Sequence, residues 1–292
     1  MKAITILAAA GLAAIAAHGA IAQTAYKAPR TVDGVPDLQG NWNNSSMTSL
    51  ERQPKYGDRL VMTPKEVADF EGMEAAFIAS QNAPTDPNLT TEDLGDSCGH
   101  AADSGFNPEG RNLSRAGCGY NYAWVDPGSK VMRVRGEPRT GFITSTANGR
   151  VPPLKPEAAA RNQARGRGGF GSADNPENRS LGDRCVTSWA MHAGPVMLST
   201  TYNNNYQIVQ DKDVVAIMVE VVHDTRIVRL NAKHAPPEVR PYYGDSVGWY
   251  EGESLVVETT NYHPNTNFRG ANPETLKVTE RFTRTAKDKL LY

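Results

Sequence analysis

The chain has 292 residues, with 31 Lys and Arg against 32 Asp and Glu and a formal net charge of −1. That balance excludes a nucleic-acid surface, because phosphate binding needs a basic excess. Three cysteines without C-x-x-C spacing, and six histidines without H-x-x-x-H spacing, exclude the usual zinc sites, and no metal or cofactor is expected.

The chain opens MKAITILAAAGLAAIAAHGAIAQ: one Lys, a small-residue apolar run, then Ala20-Ile21-Ala22. Met1 to Ala22 is read as a secretory signal peptide cleaved after Ala22. No later segment approaches ~20 continuous apolar residues, so the mature protein is expected to lack a transmembrane segment and to reside in the bacterial periplasm or outside the cell. About 270 residues remain after cleavage, enough for one large β domain or two small ones; we read 23–292 as a single β-rich domain.

After a short linker, DGVPDLQGNW gives turn chemistry at Asp33-Gly34 and Pro36-Asp37, and a strand begins at Leu38. MTPKEVADFEGMEAAFIA predicts a helix with Thr63 as N-cap, Pro64 at N1 and Glu66 completing a capping box; Val67, Phe70, Ala75 and Phe77 form its apolar stripe. Residues 80–119 form a long loop rich in Asn, Asp, Gly, Ser and Pro, which an oxidising compartment would pin by a Cys98–Cys118 disulfide, leaving Cys185 over. NYAWVDP, KVMRVRG and RTGFITSTANGR read as strands, the last ending at an Asn148-Gly149 turn. Pro156 opens a short Ala-rich helix that gives way to a glycine-rich linker over 165–180. Its glycines resemble a phosphate loop, but no strand leads in and no G-K-[ST] follows.

From residue 202, YQIVQ, VVAIMVEVV, TRIVRL, VGWY, SLVVETT, LKVTERFTR and KLLY are short strand-like runs separated by turns. The expected fold is therefore mainly β: an antiparallel meander forming a barrel or strongly curled sheet, with long loops and two short helices. The sequence ends at Leu291-Tyr292 inside a strand-like run, so the last strand is either short or cut.

Strand parity singles out polar residues on faces that otherwise read as core. Arg226 shares parity with Val228 and Leu230. Glu280 shares it with Leu276, Val278 and Phe282, and Glu220 and Asp224 with Val214, Ala216, Met218 and Val222. Buried charges must meet each other or a ligand. Either Arg226 pairs structurally with Glu280 or Glu220, or these groups line a cavity with Arg226 as anion anchor and a carboxylate as acid or base. His223 is the candidate general base. In a regular strand it faces away from Asp224, so the two form a dyad only across a turn or bulge.

Other features are weaker. Ser246 in GDSVG resembles a nucleophile elbow without the following helix, and Asp183, Arg184 and Cys185 precede Trp189 and His192 in a loop. The run Tyr202 to Tyr206 suits sugar or phenol contacts, and Trp249 suits stacking.

The motifs PDLQGNW, NGRVPPLKPEA, NPENRSLGDRC, YNNNYQIVQ, VVHDTRIVRL, GDSVGWYEGESLVVETTNY and LKVTERFTR span residues 36 to 284. With them the chain resembles a large family of uncharacterised exported bacterial proteins, which implies no particular reaction. Family members usually continue into a further cysteine-containing segment, which the resemblance implies as a partner for Cys185. Gly40-x-Trp42 also gives a looser likeness to lipocalin-like barrels, implying a ligand cup with a Trp near its closed end. The expected function is binding or processing of a small molecule in a β-lined pocket, without metal or nucleotide. His223, Asp224 and Arg226 are the catalytic candidates, and Glu220, Glu280, Trp249 and Tyr206 the ligand-binding ones. The alternatives are a cofactor-independent lyase, isomerase or hydrolase using His223 as base, and a structural envelope protein.

Overall fold

The computed structural model describes residues 26–81, 84, 87–88, 128–166, 175–179, 181–187, 194–200, 203–221, 224–266 and 268–292. The proposed signal peptide, NYAWVDP, Cys98, Cys118, His223 and most of the glycine-rich linker lie outside these residues.

Among the described residues, ten strands and two α-helices follow in chain order: β1 (Gly40–Asn43), α1 (Pro64–Gln81), β2 (Arg133–Val134), β3 (Glu137–Pro138), α2 (Pro156–Gly166), β4 (Asn205–Gln210), β5 (Val214–Val219), β6 (Thr225–Leu230), β7 (Asp245–Glu251), β8 (Ser254–Thr260), β9 (Val278–Ala286) and β10 (Lys289–Leu291). Among the described residues no helix is long and apolar enough to cross a membrane. The start of α1 forms as its residues dictate. Thr63 Oγ1 accepts from the Glu66 amide at 3.2 Å, and Glu66 Oε2 accepts from the Thr63 amide at 2.7 Å, closing the capping box.

Eight strands form one sheet in the order β1-β4-β5-β6-β7-β8-β9-β10. Contacts across its concave side show how far it curls. Gln210 Nε2 on β4 donates to Tyr250 Oη on β7 at 2.5 Å. Arg284 on β9 donates to the Asp37 carbonyl at 3.0 Å and lies 5.5 Å from the Trp42 ring of β1. The result is a nearly closed, barrel-like sheet, mainly antiparallel.

One joint departs from the expected meander: β6 and β7 pair in parallel, Val228 opposite Ser246 and Leu230 opposite Gly248. The cause is the length of the connection from Asn231 to Gly244. A tight turn forces antiparallel pairing, whereas a parallel neighbour requires a crossover of about a dozen residues or more, which this segment supplies. RTGFITSTANGR also departs from expectation, because it makes no strand beyond the bridge Val61–Arg139. Its Phe142 and Ile143 amides bond instead to the Leu50 carbonyl in a neighbouring loop. Gly141 packs so closely on Arg52 that a Cβ there would lie 2.9 Å from the Arg52 nitrogen.

The concave face holds the main core: Leu38, Tyr206, Ile208, Val215, Ile217, Val219, Val228, Leu255, Val257 and Phe282 all lie within it, most of them with no exposure. A second cluster, with Met47, Tyr56, Met62, Val67, Phe70 and Val131, packs under α1. Beside it the fully buried Arg52 donates to the Ala147 carbonyl at 2.7 Å and ties the loops together.

Gly248 makes the parallel joint possible, since a Cβ there would lie 2.7 Å from Val228 Cγ1. Gly248→Val is expected to cost about 1–3 kcal/mol by overpacking, measured by urea unfolding. An unchanged midpoint would contradict the close β6–β7 packing.

Candidate functional site

Arg226 on β6 and Glu280 on β9 point into the curl, three strands apart in the sheet, and meet across it. The guanidinium makes a two-pronged contact with the carboxylate: Nη2 to Oε1 at 2.9 Å, and Nη1 to Oε2. The two side chains are 3% and 1% exposed. Tyr292 Oη donates to Glu280 Oε1 at 2.9 Å and accepts from the Met197 amide at 3.1 Å. Burial works against the charge of Arg226, but the charge and hydrogen bonds of Glu280 outweigh it and hold the guanidinium above its ordinary value. The fork that would grip a ligand carboxylate is thus occupied by Glu280. Among the described residues Nε of Arg226 has no hydrogen-bond partner.

Three phenols surround the pair. Burial pushes Tyr206 up to about 12, against a hydrogen bond from Asn44 and the charge of Arg226. Burial, reinforced by the negative charge of Glu280, raises Tyr262 and Tyr292 further. Tyr206 Oη lies 3.3 Å from Asn44 Nδ2.

Glu220 does not join this cluster. Both faces of VVAIMV are apolar, so parity alone left the inward face open. The structure turns Val215, Ile217 and Val219 inward, and sets Val214, Ala216, Met218 and Glu220 on the outer side. Asp224 is half-buried at the end of the β5–β6 connection, where its carbonyl accepts from the Val219 amide at 2.9 Å. Trp249 also lies on the outer side, half-buried, with its indole N–H on Glu251 at 2.8 Å. Ser246 is buried against Thr259, oxygen to oxygen 2.8 Å, which takes the GDSVG serine out of reach of solvent. Cys185 is exposed and, among the described residues, forms no disulfide.

On the outer wall, strand register lines residues up in rows. Asn43, Asn205 and Glu220 make a hydrogen-bonded chain: Asn43 Nδ2 donates to Asn205 Oδ1 at 2.9 Å, and Asn205 Nδ2 to Glu220 Oε2 at 2.8 Å. In the next row Asn41 stands opposite Gln207 and Gln207 opposite Met218. Here lies an open depression of about 370 Å³, lined by Asn41, Asn205, Tyr206, Gln207, Met218, Val219 and Glu220. Tyr206 and Val219 point inward from the sheet and underlie it, while the other five are exposed. Its lining combines three amides and one carboxylate with the Met218 thioether, and among the described residues it carries no cationic side chain.

A further polar cluster, not singled out by any sequence pattern, covers the outer side of β7 and β8. Asp245 accepts from Arg229 at 2.8 and 2.9 Å and from the Ala235 amide at 2.9 Å, and pairs with His234 Nδ1 at 2.9 Å. Burial opposes its ionisation, but these donors outweigh it and hold the carboxyl below the ordinary Asp value. His234 Nε2 is enclosed 3.4 Å from Glu258 Oε1, and Glu258 in turn binds Lys277 at 2.8 Å. An imidazole closed off on both nitrogens works as a tether, fastening the Asn231–Gly244 crossover to the sheet. His234 sits in an irregular loop, so no periodicity marked it. Among the described residues no group of three or more His, Cys, Asp or Glu side chains could hold a metal ion.

Comparison with family models, with curated proteins and with solved structures found no match.

The buried phenols predict how stability depends on pH. Their folded values lie above the ordinary 10.0, so above that value the unfolded chain loses protons that the folded chain keeps. Their contribution is fully present below about pH 10 and is lost as pH rises towards the folded values. Urea unfolding across the alkaline range should show a steady decline from about pH 10 upwards, with phenolate absorbance from these groups appearing only as the fold is lost. Full tyrosine titration near the ordinary value with the fold intact would contradict the assignment.

Proposed function

We propose that the protein is a small-molecule binder whose ligand sits in the outer depression between β1, β4 and β5, and that the ligand is uncharged and rich in hydroxyl groups. One observation carries this: Glu220, which the sequence nominated for ligand contact, lies in this depression amid amides that offer both donors and acceptors. Its volume of about 370 Å³ falls in the ~300–1,000 Å³ range of small-molecule sites. The lining also argues for charge selectivity. One carboxylate and no cation leave nothing to neutralise an anion, whereas paired amides and a carboxylate match vicinal hydroxyls. In this reading the protein works after export, with Met1 to Ala22 removed, and needs neither metal nor nucleotide. The interior of the curl serves the fold, because the charged pair there is satisfied by its own members.

The test is isothermal titration against neutral mono- and disaccharides, with sugar acids as controls. Saturable binding of a neutral sugar is expected. Asn41→Ala and Gln207→Ala should each weaken it on the order of tenfold through lost hydrogen bonds, without moving the thermal midpoint. Absence of any saturable binding, or binding indifferent to both variants, would refute the assignment.

A further inference from the structure

The outer wall does not end at the depression. The next row across the sheet is Val209 on β4, Ala216 on β5 and Ile227 on β6, each opposite the next in register. Val209 is 48%, Ile227 49% and the neighbouring Met218 40% exposed. Scattered apolar side chains are ordinary on a protein surface. Here they adjoin one another on three consecutive strands and run into the depression at Met218, which belongs to both. With strands ~4.8 Å apart, the row spans roughly 10 Å, about the reach of a medium-length alkyl chain.

We infer, building on the proposed binding function, that the ligand is an amphiphile with an uncharged polyhydroxylated head. The head occupies the depression at Asn41, Gln207 and Glu220, and the tail lies along Met218, Ala216, Val209 and Ile227. Charge supports this occupant. The depression offers a carboxylate and amides but no cation, so it does not match the head of a fatty acid or a phospholipid. At the far side of the row Arg229, opposite Val214, is tied to Asp245 at 2.8 Å. A tail laid on this wall covers apolar surface that is otherwise wet, while a hydroxylated head finds donors and acceptors already in position.

The experiment titrates octyl glucoside below its micellar concentration, glucose and octanoate into the wild type, a Val209→Thr/Ile227→Thr variant and an Asn41→Ala/Gln207→Ala variant. Threonine keeps the branched strand-forming shape while making the row polar. Octyl glucoside should bind on the order of tenfold or more tightly than glucose. The threonine pair should remove that advantage while leaving glucose affinity unchanged, and the alanine pair should weaken both. Octanoate should show no saturable binding. Equal affinity for glucose and octyl glucoside would overturn the tail site and leave the binding function intact. Octanoate binding as tightly as octyl glucoside would overturn the assigned head. Failure of both sugars to bind would overturn the binding function along with the inference. Sedimentation equilibrium covers the remaining occupant: self-association without amphiphile, abolished by the threonine pair, would make the row a contact between copies and overturn the proposal.

Discussion

The fold turns on one charged contact inside an apolar curl, Arg226 with Glu280. The two residues belong to strands separated by β7 and β8 in the sheet, and only strong curvature brings them together. Their pairing therefore fixes that curvature as well as neutralising two charges. Desolvating two ions costs several kcal/mol each, and the attraction between them offsets that cost only with good geometry and further hydrogen bonds. Here the two-pronged contact and the Tyr292 hydroxyl supply both. Such a pair adds little net stability over an apolar core, but it penalises any arrangement that separates its members. It selects one register and one degree of closure for the strands that carry it.

That constraint divides the sheet into two working faces. The inner face is committed to packing and to the ion pair, with Val215, Ile217, Val219, Val228 and Phe282 closing around it. The proposed ligand contacts are on the outer face, where β1, β4 and β5 stand side by side and their register gathers amides and apolar side chains into successive rows. Part of the outer face is covered. The crossover between β6 and β7 lies over β7 and β8, held by Asp245 through Arg229, His234 and the Ala235 amide. The parallel joint thus fixes where the wall is sheltered and where it stays open.

Much of this was legible in the residues. The capping box at Thr63 and Glu66, the strand runs after residue 202 and the burial of Arg226 with Glu280 follow from local chemistry and from alternation against polar neighbours. Legibility failed where alternation carries no contrast. In VVAIMV both parities are apolar, so the inward face, and with it the position of Glu220, depends on what the neighbouring strands bury. It failed also where structure is irregular. RTGFITSTANGR has strand-like composition, but its amides are claimed by the loop at Leu50. His234 and Asp245 meet only because a crossover folds back over the sheet, a contact no local pattern encodes. The parallel joint is of the same kind, since a connection's length permits a crossover without dictating which neighbour it reaches.

The central claim, that the Arg226–Glu280 pair specifies the closure of the sheet, is tested most directly by a double-mutant cycle measured by urea unfolding. Arg226→Met and Glu280→Leu should each cost roughly 3–5 kcal/mol, because each leaves one charge buried alone, and the double variant should recover most of that loss. Single variants of near wild-type stability, or a double variant whose loss equals the sum of the two, would contradict it.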